Sequence, residues 1–181
     1  MMINQDTSAL ILIDYQKRLM PSIHEGQEAI ASALFLAQVA QALAIPILGT
    51  EQNPDGLGSN DERIKAFCDQ TLVKHSFNGA ADGLADAIQK TNPAITQVVL
   101  AGCEAHVCLM QTALGLQILG YEVAVVPEAC GSRMPQDKIL AIGRMSQQKI
   151  AMLSAEMLVF EWLKTSEHPQ FKNVLKLIKN R

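Results

Sequence analysis

The clearest pattern along the chain is a series of short, nearly uninterrupted apolar runs, each followed by a polar turn and then by apolar residues at helical spacing. Ser8-Ala-Leu-Ile-Leu-Ile-Asp14 is the first such run, and it ends on a carboxylate. Continuous apolarity over this length predicts a strand buried on both faces, as in a parallel sheet. From about Glu25 to Leu43 the residues Ile30, Leu34, Ala37 and Ala40 recur at helical spacing, which predicts a helix laid on that sheet. Ile45 to Thr50 reads as a second strand, with Pro46 at its start, where a missing N–H donor is tolerated. Glu51 to Asn60 is dense in turn residues and is expected to be a loop, with a short helix from Asp61 to Phe67. Thr71 to Lys74 predicts a third strand, ending on a lysine. His75 to Gly79 then turns the chain into a helix from about Ala81 to Gln89.

Gln97 to Leu100 predicts the fourth strand, and Gly102 to Cys108 a polar turn leading into a helix with Cys108 close to its start. Tyr121 to Pro127 is a fifth strand, Pro135 to Gln148 a helix and Lys149 to Met152 a short strand. Two helices, Ala155 to Leu163 and Pro169 to Lys179, close the chain. Strands alternating with helices at this rhythm imply a Rossmann-like α/β three-layer sandwich: one mostly parallel sheet of about six strands with helices on both faces. No repeat or linker divides residues 1–181, so a single domain is expected.

Composition narrows the partners. A formal net charge of -3 over 181 residues and only 4% aromatics supply neither a basic patch nor stacking platforms, so no nucleic-acid partner is expected. Hydrophobic residues reach 49%, yet no apolar run approaches the roughly 18 residues of a membrane span. With no basic and apolar leader at Met1, the expectation is a soluble cytoplasmic protein without a membrane partner. The 4 cysteines, Cys68, Cys103, Cys108 and Cys130, fit neither a disulfide scaffold nor paired zinc ligands. No metal and no cofactor is implied.

The candidate chemistry lies at strand ends. Asp14 ends the first strand, Lys74 ends the third and Cys108 follows the fourth, and right-handed crossovers bring such ends to one edge of the sheet. A thiol beside a cation and a carboxylate forms a nucleophilic set: Lys74 would stabilise thiolate and Asp14 would accept a proton and later activate water. The backbone N–H groups of Glu104, Ala105 and Cys108 are candidate oxyanion donors. Bland readings stand beside these. Cys108 also reads as a buried structural thiol, Asp14 as a cap, and Lys74 as a solvated charge. Tyr15, Glu51, Gln52, Phe77 and His106 are candidate pocket walls, with core packing or an exposed loop as their alternatives. The paired segments near Met157 to Leu163 and Val174 to Ile178 carry more apolar surface than one sheet contact needs, which suggests a homo-oligomer contact there.

Several of these segments carry a family likeness. Leu-Ile-Asp14-Tyr-Gln16, Lys74-x-x-Phe77, Gly102-Cys-Glu-Ala-His-Val-Cys108-Leu-x-x-Thr112-Ala-Leu and Gly120-Tyr-Glu-Val-Ala-Val-Val-Pro-Glu-Ala129 together resemble the isochorismatase-like cysteine hydrolase superfamily. The resemblance implies an Asp-Lys-Cys triad mapping onto Asp14, Lys74 and Cys108. It also implies a non-proline cis peptide within Gly102 to Ala105 and a small-molecule substrate. A nucleophilic cysteine departs from the members that cleave isochorismate. The segment Glu51-Gln-Asn-Pro-Asp-Gly-Leu-Gly lacks the metal-binding histidines of nicotinamidases. The implied activity is therefore metal-independent hydrolysis of a small amide or similar acyl C–N bond through a Cys thioester. The alternative is an inactive or regulatory binding module of the same fold; a thiol redox role is disfavoured by the absence of Cys-x-x-Cys.

Overall fold

Each apolar run becomes a strand of one sheet. In a computed structural model that describes Met1–Arg181, the strands are β1 (Ser8–Ile13), β2 (Ile47–Gln52), β3 (Gln70–Lys74), β4 (Gln97–Cys103), β5 (Glu122–Gly131) and β6 (Ala151–Met152). Their order is β3-β2-β1-β4-β5-β6, and every pairing is parallel. Strand order reverses between β1 and β4, and the crevice outside the carboxyl ends of two strands that part in this way is where α/β sheets bind ligands.

Alternation along the strands feeds two cores. Leu10 and Leu12 face one of them, together with α1 (Gly26–Ala42), α7 (Ala155–Leu163) and Val174 of α8 (Phe171–Lys179). Ala9, Ile11 and Ile13 face the other, with α4 (Leu84–Thr91), α5 (Met110–Ile118) and α6 (Pro135–Gln147). The central strands are apolar at consecutive positions because each of their faces is covered. The expected three-layer sandwich is therefore the observed one. No helix is long and apolar enough to cross a membrane.

Three boundaries differ from expectation in ways that shape the site. The segment assigned to a loop from Glu51 begins two residues later, because β2 continues to Gln52 in register with Lys74 of β3. Beyond it lie the short helices α2 (Pro54–Leu57) and α3 (Glu62–Lys65). Strand β5 runs on through Pro127 to Gly131, and the ladder with β4 shifts register between Leu100 and Gly102, which accommodates a residue without an N–H donor. Finally, Cys108 lies in a π-helical turn, Ala105–Leu109, that precedes α5. Such widened turns concentrate at functional sites.

Candidate active site

Asp14 is the first residue beyond β1 and takes a left-handed backbone conformation, φ 53°. This bend turns its carboxylate across the sheet edge toward β2 and β3. Thr50 on β2 donates its hydroxyl to Asp14 Oδ1 at 2.7 Å. Lys74, at the end of β3, places Nζ 2.7 Å from Asp14 Oδ2, and both side chains are buried almost completely. A buried ion pair is retained only where hydrogen bonds complete it. Here the ammonium has a second acceptor, the amide oxygen Oε1 of Gln52, also at 2.7 Å.

Gln52 is itself held on both sides. Its Nε2 donates to the His75 carbonyl at 2.7 Å, which points Oε1 inward at Lys74. Its backbone N–H donates to Gln16 Oε1 at 2.8 Å, and Gln16 Nε2 returns a bond to the Gln52 carbonyl at 3.0 Å. The same Oε1 of Gln52 accepts from the Cys108 thiol at 4.0 Å. Asp14, Lys74, Gln52 and Cys108 therefore form one buried cluster across the ends of β1, β2, β3 and the turn after β4.

Backbone geometry keeps that turn close. Gly102 has φ 149°, and a Cβ built there would lie 2.2 Å from the Ile13 carbonyl oxygen, so only glycine lets β4 pass the end of β1. The peptide bond Cys103–Glu104 is cis, within the segment where the family likeness placed one. The N–H groups of Val107 and Leu109 are taken by the Glu104 carbonyl, at 3.1 and 3.2 Å. The Glu104 side chain, a neighbour of the backbone donors, is held aside by Arg133 Nε at 3.0 Å.

The electrostatics amend one expectation. Burial pushes the Cys108 thiol up to about 12, the Asp14 charge pushes in the same direction, and Lys74 opposes them without prevailing. The surroundings of Cys108 thus favour the thiol over the thiolate. Asp14 Oδ2, although close to Lys74, receives no well-aligned hydrogen bond.

The remaining sequence candidates go to different places. Tyr15, one residue beyond Asp14, turns into the core on the α1 side, where its hydroxyl donates to the Ala129 carbonyl and burial raises its pKa. Glu51 points to the opposite face of β2 from Thr50 and Gln52, where Oε1 accepts from Asn60 N–H at 2.9 Å. It anchors a loop. Phe77 is half exposed, and its carbonyl accepts from Thr112 of α5 at 3.4 Å. His106 faces α6, its Nδ1 3.0 Å from Ser132 Oγ, in a depression of about 150 Å³ shared with Met110, Asp137 and Arg144. None of Asp14, Lys74 or Cys108 borders that depression. Thr50 and Gln16 are the partners that sequence reasoning missed, though Thr50 shares a strand face with Gln52 by simple alternation. No group of three or more His, Cys, Asp or Glu side chains is arranged to hold a metal ion.

Residues 8–157 match the model of the isochorismatase domain. The chain belongs to the isochorismatase family. An isochorismatase domain-containing protein 2 from Xenopus laevis is 34% identical over 176 residues, spanning 97% of this chain and 85% of that protein. The mouse isochorismatase domain-containing protein 2A is 34% identical over 177 residues, 96% of this chain and 84% of that one. Among solved structures, one described as a MAR1 ribonuclease from Caenorhabditis elegans superposes with a TM-score of 0.91 at 32% identity, covering 99% of this chain and 93% of its own. The ycaC gene product of Escherichia coli, described as an octameric hydrolase of unknown specificity, has a TM-score of 0.82 at 21% identity, covering 99% and 97%. The two solved structures share the fold of this chain.

Proposed function

We propose that residues 1–181 act as one domain, a metal-independent cysteine hydrolase that cleaves a small amide or similar acyl C–N bond. The observation that carries this reading is the buried convergence of Asp14, Lys74 and Gln52 on Cys108 at the point where β1 and β4 part. Cys108 Sγ attacks the substrate carbonyl carbon while its proton passes to Asp14 Oδ2. Concerted transfer suits a thiol pushed up to about 12, since no free thiolate has to accumulate. The oxyanion is received by N–H groups of Glu104, Ala105 and Cys108, and the Lys74 charge offsets the negative charge that develops nearby. Collapse breaks the C–N bond as Asp14 returns the proton to the departing nitrogen, leaving a thioester. Water then gives a proton to Asp14 and attacks the thioester carbonyl. When the C–S bond breaks, Asp14 reprotonates the sulfur.

The substrate is proposed to be a small molecule. The Caenorhabditis elegans relative is described as a ribonuclease, but this chain has a formal net charge of -3, no excess of cations to meet a phosphate backbone, and few aromatics on which bases could stack. All four cysteines are free, which suits a reducing compartment such as the cytoplasm. A homo-oligomer is also proposed, in keeping with the octamer described for the Escherichia coli ycaC product.

A panel of small amides and carbamoyl compounds, quenched in acid during turnover and digested, tests the chemistry. The expected result is an acyl mass increment on the peptide carrying Cys108. Turnover by a Cys108→Ala protein at the wild-type rate would sink the mechanism. The second reading is a binding module without turnover, in keeping with the burial that disfavours the Cys108 thiolate. It predicts that no compound of the panel is hydrolysed while some still raise the melting temperature.

A further inference from the structure

The exposed apolar side chains of this protein are unevenly placed. On α6, Ile139 is 62% exposed and Leu140 70%, with Met134 just before the helix at 60%. The neighbouring α5 adds Ile118 at its end and the half-buried Met110 and Leu114 at the preceding turns. A surface helix ordinarily gives such positions to polar residues. On α6 the inner face is already filled by Ala141 and Met145, so Ile139 and Leu140 have no partner within the chain.

Charge placement says what covers them. Asp137 and Arg144 flank Leu140, seven residues apart, which is two helical turns and about 10 Å along the axis. Arg144 has no carboxylate within ion-pair distance in its own chain. Asp137 has only His106 Nε2 at 3.8 Å, too long for a hydrogen bond. If a second α6 lies antiparallel across a two-fold axis beside Leu140, Asp137 meets Arg144 of the partner subunit, and the same pair recurs on the other side. At Gly143 an added Cβ would meet nothing within 4 Å, so backbone approach is open there.

The closing helices, expected to carry this contact, fail the same test. Most apolar residues of α7 point inward, leaving Met157 and Phe160 half exposed. An antiparallel α7 pair would set Glu156 against Glu161 of the partner subunit, and the only charges on α8 are Lys172, Lys176 and Lys179. Like charges placed so repel.

We infer that α6 is the two-fold contact between two copies of this chain, with Leu140 at the axis and Asp137–Arg144 pairs on either side. The inference deepens the homo-oligomer reading above by naming its surface. Because α6 also packs on the turn carrying Cys108, the partner lies beside the His106 depression.

Sedimentation equilibrium of the full chain at micromolar concentration tests it. The wild type is expected at twice 19.7 kDa or a larger even multiple. Asp137→Arg sets arginine against arginine and Leu140→Glu buries charge at the axis; each should weaken association tenfold or more and halve the mass. The double variant Asp137→Arg with Arg144→Asp restores opposite charges and should recover the wild-type mass, while circular dichroism confirms that every variant is folded. A monomeric wild type overturns both this inference and the homo-oligomer reading. An oligomeric wild type whose single variants keep their mass, or whose double variant stays dissociated, overturns the α6 assignment alone.

Discussion

The two sides of the sheet are built to different ends. On the side of α1, α7 and α8 the core is closed: Trp162 is fully buried, and its indole N–H donates to Ser8 Oγ at 3.0 Å. On the side of α4, α5 and α6 the same sheet supports the Cys108 turn, a depression around His106 and uncovered apolar residues. One side is a finished core, and the other carries the features on which the proposed chemistry and the proposed subunit contact rest. Side-chain content does not separate them, since both are rich in Ile, Leu and Val. What differs is whether polar groups converge at the strand ends and whether the outer helix face is finished.

Substitutions can break this comparison. The largest effect is expected for Cys108→Ala, which should lower turnover of any hit from the amide panel at least about ten-thousandfold, as removal of a covalent nucleophile does, with little change in urea midpoint. Trp162→Ala on the closed side should do the reverse. Losing this side chain should cost about 3–5 kcal/mol by urea denaturation, while the alkylation rate of Cys108 in the native state stays as in the wild type. A changed alkylation rate there would mean the two sides are coupled. Gln52→Leu should fall between them. It strips an acceptor from the buried Lys74 ammonium, a loss of about 1–3 kcal/mol in stability, whereas Gln52→Glu, which sets a second negative charge beside the thiol, should slow Cys108 alkylation at fixed pH.

The smallest effects are pH-dependent and carry a definite sign. With its thiol pushed up to about 12, Cys108 should alkylate about tenfold faster per pH unit from 7 to 10, with no plateau in that range. A plateau near pH 8 would mean that Lys74 outweighs burial after all. Burial also pushes up the thiols of Cys130, to about 12, and Cys103. Above the unfolded thiol value of about 8.5 the native state keeps protons that the unfolded chain releases. The contribution is therefore complete below that pH and is lost as pH rises toward the native values. Each of these two buried thiols should remove on the order of 1 kcal/mol per pH unit above that threshold. Urea titrations at pH 7.5 and 9.5 measure the fall.

Much of this arrangement was legible in the amino-acid sequence. The six strands and their parallel pairing were expected from continuous apolar runs alternating with helices, and Ala155–Leu163 forms a helix over the expected range. Asp14, Lys74 and Cys108 were singled out because each lies where a run ends, and the fold brings the three together. What stayed hidden depended on pairing between distant segments. Glu51 and Gln52 read as loop residues until β3 extends β2 beside them, and only then does alternation send Gln52 to the site and Glu51 away from it. Tyr15 was left between pocket wall and core, and takes the core, because nothing local announces that Asp14 takes φ 53° and redirects the residue after it. The apolar excess of α7 looked like surface because its burial beneath α1 and β1 is a tertiary fact, whereas Ile139 and Leu140 drew no notice in a helix of ordinary composition.

Three consecutive residues, Asp14, Tyr15 and Gln16, point to three parts of the molecule: the buried ion pair, the Ala129 carbonyl across the sheet, and the backbone of Gln52 and Gly58. For anyone wishing to retune this scaffold, that tripeptide is a poor place to begin, because no single exchange there stays local. Exchanges are better introduced at positions that neither the strand ends nor the α6 contact uses, such as the solvent-facing side of α4.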